Sequence, residues 1–131
     1  ILCVSRTCKI QLKVYNVIIT INKTGRKLMI KRIDYIKNYG IFRTFKWQPS
    51  IPEFSNINLF YGLNGSGKST LATVFEDVKN KEQRYYKGDY KLIDNEIGDI
   101  LSTSLQNQNE NIYVFNSHFV KNNIGEFDTL K

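Results

Sequence analysis

Gly62, Gly65, Gly67, Lys68 and Ser69 stand at the spacing of a phosphate-gripping loop, in the run Gly62-Leu63-Asn64-Gly65-Ser66-Gly67-Lys68-Ser69-Thr70. A loop that wraps a polyphosphate must turn its backbone N–H groups inward. Side chains at Gly62, Gly65 and Gly67 would obstruct the turn or the approach. Lys68 is the point charge that would reach the β- and γ-phosphates, and Ser69 is the hydroxyl that would meet Mg²⁺. A helix starting near Ser69 would aim its unpaired amides and positive dipole end at the anion. Residues 62–70 therefore predict a site for Mg²⁺ and a nucleoside triphosphate. The context test is a strand before it and a helix after it.

Both flanks have the expected character. Ile57, Leu59 and Tyr61 alternate with Asn58 and Phe60 and predict a short buried parallel strand ending at Gly62. Leu71, Val74, Phe75 and Val78 fall at helical spacing, leaving Glu76, Asp77 and Lys79 for the polar side.

The chain has 131 residues, enough for one small domain, and a formal net charge of +7. The charge is unevenly placed. Residues 1–28 hold Arg6, Lys9, Lys13, Lys23, Arg26 and Lys27 and no acid, which leaves +1 for residues 29–131 and no basic groove for RNA or DNA. Cys3 and Cys8 lie in the same opening segment, too few for a disulfide framework or a four-ligand zinc site, and a cytoplasmic chain is expected. Arg6 and Lys9 interrupt any signal-peptide core, and the apolar stretch at 17–21 is too short for a membrane span.

The only methionine, Met29, opens a more orderly pattern, which suggests a native start there with residues 1–28 as upstream sequence or a fragment edge. The competing reading is a β-rich extension, since Ile10, Leu12 and Val14 alternate with polar residues and the run to Ile21 is β-branched. Residues 29–131 are expected to form the N-terminal part of a nucleotide-binding head, incomplete at its C-terminus. Within them the patterning predicts a strand at 29–35, a turn at 37–40 using Gly40, a strand at 41–47 and a proline-containing loop at 48–53. A short strand or helix is expected within 90–100. A last strand is expected at 112–115, with Ser117 capping a helical turn through Phe119 and Val120.

Two further segments imitate catalytic motifs. Tyr90-Lys91-Leu92-Ile93-Asp94 has the outline of an apolar strand ending in a metal-holding aspartate, but Lys91 interrupts it and Asn95 stands where a glutamate would follow. Residues 101–106 begin like a phosphate-sensing signature loop but lack its glycines, and are expected to be an exposed polar segment. His118, the single histidine, is expected at the surface or as a cap.

Four stretches occur in order: Met29 to Ile33, Asn38-Tyr39-Gly40-Ile41-Phe42, Phe60 to Leu71, and Tyr113-Val114-Phe115-Asn116-Ser117-His118-Phe119-Val120. Together they resemble the N-terminal lobe of the ABC-type, SMC-like AAA ATPases of the bacterial anticodon nucleases, the PrrC and RloC group, over about residues 29–127. The resemblance implies an α/β P-loop NTPase fold, specifically part of an ABC-type head with N-terminal strands, the loop and its following helix. It also implies ATP and Mg²⁺ as ligands and a second head, as in a homodimer, sandwiching the nucleotide. Tyr39, Phe42 and Trp47 are expected mainly as core or turn residues, although in the resembling heads the turn holding Tyr39 and Phe42 would lie near the base and ribose. RNA or DNA enters only through this resemblance. No convincing Walker B pair or signature loop is found, so hydrolysis is not expected of this chain alone.

Two other function classes remain open on sequence. A self-contained nucleotide kinase would need arginines converging on the transferred group, and Arg84 is the only arginine after the loop. A nucleotide-dependent dimerisation module would pair with another head without forming product. A guanine-specific reading fails at Asn80-Lys81-Glu82-Gln83, which ends in the wrong residue for a carboxylate grip.

Overall fold

The computed structural model describes residues 17–19, 30–55, 57–95, 98–107 and 112–124. The suggested start at Met29 and the alternation at Ile10, Leu12 and Val14 lie outside them. The elements are β1 (Val17–Ile19), β2 (Ile30–Tyr39), β3 (Phe42–Lys46), α1 (Lys68–Asn80), β4 (Asp89–Asp94), β5 (Ile100–Leu101), a 3-10 turn (Leu105–Asn107), β6 (Tyr113–Phe115) and α2 (Ser117–Ile124). β2 to β5 form an antiparallel sheet in the order β3-β2-β4-β5, and β1 pairs antiparallel with β6. Among the described residues no helix is long and apolar enough to cross a membrane.

β2 runs four residues past its predicted end, because its pattern is not the usual alternation. Ile30, Ile33, Ile36 and Tyr39 are buried at every third residue, a spacing that a regular strand would send to alternate faces. Its partner β4 buries Tyr90, Leu92 and Asp94 at every second residue. Register shifts between Ile30 and Arg32 and between Ile33 and Tyr35 reconcile the two, each placing one extra residue on β2. Ile30, Ile33 and Ile36 thus fall opposite Asp94, Leu92 and Tyr90 and face one core. The hairpin to β3 turns at Gly40 and Ile41, and Gly40 takes the left-handed φ of +54° expected of it.

The strand expected before the loop does not form. Only Asn58 makes a bridge in 57–61, and the faces are reversed: Asn58 and Phe60 are buried while Ile57 and Tyr61 are exposed. The cause is local. Asn58 Oδ1 accepts the Ser55 N–H at 2.9 Å, Asn58 Nδ2 donates to the Ser55 carbonyl at 2.7 Å, and Ser55 Oγ donates to the Ile57 carbonyl. These side-chain bonds hold the chain in a turn that competes with a strand ladder.

α1 buries Leu71, Val74, Phe75 and Val78 as its spacing predicts. An aromatic series seats it: the Trp47 ring meets Phe54 at 5.2 Å edge-on, and Phe54 meets both Phe60 and Phe75 at 5.7 Å. The helix ends where Lys81 turns left-handed and its N–H and that of Glu82 bond back to the carbonyls of Val78 and Asp77.

Asp77 departs from its expected place on the polar side. It is 1% exposed, where its carboxylate accepts hydrogen bonds from the Tyr39 hydroxyl, the Tyr90 hydroxyl and the Arg84 N–H. One carboxylate thereby ties α1 to β2 and β4. Burial pushes the Asp77 carboxyl above its ordinary value of 3.8, against the opposing pull of these hydrogen bonds. The folded chain therefore keeps this proton to higher pH than the unfolded chain does. The Asp77 contribution to stability is greatest at low pH and declines as pH rises from 3.8 through the raised folded value. Asp77→Asn, having no proton to lose, should remove that decline. The difference between the urea midpoints of variant and parent should change between about pH 3.5 and about pH 6.5, the parent losing stability relative to the variant as pH rises; a constant difference across the range would contradict it.

Candidate functional site: the glycine-rich loop and the start of α1

The predicted residues Gly62 to Thr70 gather around the N-terminal end of α1. Gly65 and Gly67 adopt φ of +79° and +94°, a region that side chains resist, which is why glycines stand there. Ser66 N–H donates to the Leu63 carbonyl at 3.2 Å, closing the loop on itself, and the first bond of the helix runs from Leu71 N–H to the Gly67 carbonyl at 2.8 Å. Among the described residues no side chain caps this end of α1, and its first turn carries no acid. A helix begun in this way directs backbone N–H groups lacking intrahelical partners, and a positive dipole end, toward the loop. Lys68 folds back over the loop, its Nζ donating to the carbonyls of Gly62 and Leu63 at 2.7 Å each, with Ser66 Oγ at 3.4 Å. The cationic head is thus held above the same concave backbone that the glycines shape.

The hairpin turn of β2 and β3 rests directly on this loop. A Cβ at Gly67 would lie 2.6 Å from Phe42 Cζ, and one at Gly40 would lie 2.3 Å from Thr70 Cγ2. Both glycines are therefore needed for close approach as well as for backbone freedom. A cleft of about 380 Å³ runs along the loop, with Asn64, Gly65, Lys68 and Thr70 on its polar side and Ile41 and Tyr86 on its other. Ile41 is 57% and Tyr86 38% exposed, so the cleft has an apolar wall. Lys68 also borders a recess of about 490 Å³ whose walls include Phe42, Phe45, Ile51, Phe60 and Leu71 together with Gln48, Ser50 and Ser66.

Tyr39 is a core residue, as its type leads one to expect, with no ring face left for a ligand. It is fully buried, its hydroxyl committed to Asp77 and its ring edge-on to Tyr86 and Tyr90. Phe42 stays half-buried against Gly67. Asp94 lies opposite Ile30, at the end of β2 remote from the turn, on the order of 25 Å along the strand from Tyr39. In residues 101–106, Leu105 is buried, so that segment is not wholly the exposed polar stretch its composition predicts.

Two contributors escaped the residue pattern. Tyr86 supplies a wall of the loop cleft, a role that no motif in the sequence marks. Asn116 rather than Ser117 caps α2, its Oδ1 accepting the Phe119 N–H at 3.0 Å. The signal for that junction was the Val-Phe-Asn run of 114–116, visible only through the resemblance. Among the described residues no three His, Cys, Asp or Glu side chains cluster as a metal site. A cation at Ser69 would therefore have to complete its shell with phosphate oxygens and water, as Mg²⁺ does.

A family model described as an AAA domain matches residues 38–131, from the hairpin turn through the loop, α1 and the β6–α2 junction. No curated protein and no solved structure matches the chain. The match covers most of the sequence and contains the whole of the site built above, so the chain belongs to the AAA domain family of nucleotide-binding ATPases.

Proposed function

We propose that this chain binds Mg²⁺-ATP through residues 62–70, acting as a P-loop of an ABC-type, SMC-like ATPase head. The observation that carries the reading is the pairing of an uncapped helix start with a left-handed glycine loop and the Lys68 ammonium held over it. Each feature favours a polyanion, and together they leave little other use for the geometry. Thr70 and the backbone of Gly65 to Ser69 bind the phosphates. Lys68 neutralises their charge, and the apolar wall of Ile41 and Tyr86 receives the base. Mg²⁺, held through Ser69, would supply further neutralisation between the outer phosphates. The resemblance to the anticodon-nuclease group supports a role in which a second head completes the nucleotide site.

Calorimetric titration of the chain with ATP, with and without Mg²⁺, tests the assignment. Ser69→Ala should weaken ATP binding by about tenfold when Mg²⁺ is present and much less without it. A loss independent of the metal would remove Ser69 from that role, and absence of ATP binding to the parent would remove the reading altogether. Concentration-dependent dimerisation with ATP and no product would favour a dimerisation module over a nucleotide kinase.

A further inference from the structure

The recess of about 490 Å³ shares Gly67 and Lys68 with the loop cleft and is otherwise walled by different residues. Its volume falls within the span of complete small-molecule sites, about 300–1,000 Å³. Ile36, Phe60 and Leu71 form a buried apolar wall, and the half-buried rings of Phe42 and Phe45, 5.9 Å apart and inclined at 54°, form another. The rim is polar. Gln48, Ser50 and Ser66 are exposed there, and the Ile51 N–H donates to the Gln48 carbonyl at 2.9 Å, closing the turn that carries the first two. Lys68 is the one cation among the described lining residues, and no carboxylate lies among them. Its ammonium meets only neutral acceptors, the carbonyls of Gly62 and Leu63 and, at 3.4 Å, Ser66 Oγ.

An apolar cavity with aromatic walls, a polar rim and a single cation selects a ring that carries one negative charge. We propose that the recess binds a small aromatic monocarboxylate, its ring against Phe42, Phe45 and Phe60 and its carboxylate on the Lys68 ammonium. The carboxylate makes a charge-assisted hydrogen bond to a cation that the fold supplies with no counter-charge among the lining residues. A neutral ring of the same shape gains the apolar contact alone. Because Lys68 borders both cavities, the acid and a triphosphate compete for one ammonium, and each lowers the affinity for the other. That competition rests on the reading of residues 62–70 as the phosphate grip. The binding of the acid does not.

Fluorine NMR of the full chain, titrated with para-(trifluoromethyl)benzoate and separately with para-(trifluoromethyl)benzyl alcohol, tests the site without nucleotide. The acid should bind about tenfold more tightly than the alcohol, as for a hydrogen bond to a charged group, and Lys68→Met should bring the two affinities together. Ser50→Trp, at an exposed rim position, should fill the mouth and abolish acid binding while ATP affinity and thermal midpoint stay at the parent's values. Mg²⁺-ATP should displace the acid from the parent. The site is overturned if the acid fails to bind, binds no better than the alcohol, as to a merely apolar seat for a protein segment, or binds Ser50→Trp undiminished. Loss of ATP affinity in Ser50→Trp would place part of the nucleotide in the recess and overturn it as well. If acid and ATP both bind and neither displaces the other, the shared ammonium is overturned. If the acid binds as expected and the parent binds no ATP, the phosphate-grip reading falls and the recess stands.

Discussion

Lys68→Ala should weaken Mg²⁺-ATP binding by at least about tenfold, on the order of 1.4 kcal/mol or more. Lys68 Nζ lies 2.7 Å from two carbonyls of the loop, so the substitution removes both the charge that meets the phosphates and a tie across the concave backbone. Lys68→Met separates the two effects from a loss of bulk, since it keeps the aliphatic stem without the ammonium. Both variants should lose affinity alike if charge is the determining factor. The loop is largely exposed and carries little of the core, so thermal stability should change by less than about 0.5 kcal/mol. Equal ATP affinity in parent and variants, measured by calorimetry, would remove the phosphate-gripping role from this residue.

Phe75→Ala should have the largest effect on the fold, a loss of about 3–5 kcal/mol. Phe75 is 1% exposed and its ring lies 5.7 Å from that of Phe54 and 6.4 Å from that of Phe60. Its removal would leave a cavity between α1 and the segment leading into the loop. Domains of this size are stable by only about 5–15 kcal/mol, so the variant would lie near the limit of folding. The same cavity would free the helix start that directs its amides at the ligand, and ATP affinity should fall with stability. Lys79→Ala, on the exposed side of the same helix, should change the urea midpoint little. A Phe75→Ala midpoint close to the parent's would show that the aromatic series does not seat α1.

The glycine-rich loop and the helix start after it were legible in the sequence because their demands are local. Left-handed backbone at Gly65 and Gly67, a lysine and a hydroxyl at the helix start, and apolar residues at helical spacing after them depend on neighbours a few residues away. The turn at Gly40 and most of the β3 strand were legible for the same reason. What contacts across distance decided was not legible. Period-three burial on β2 becomes a strand only because two register shifts against β4 turn Ile30, Ile33 and Ile36 to one face. Asp77 looks solvated on a helical wheel, yet hydroxyls from Tyr39 and Tyr90, on two other strands, satisfy its carboxylate in the core. The alternation at 57–61 indicates a strand, but Asn58 and Ser55 satisfy backbone groups locally and reverse the buried face. The sequence alone therefore determined the glycine loop and the helix start that follows it. Only the tertiary structure decided what surrounds them, because Phe42 and Tyr86 reach the loop through packing between elements distant along the chain.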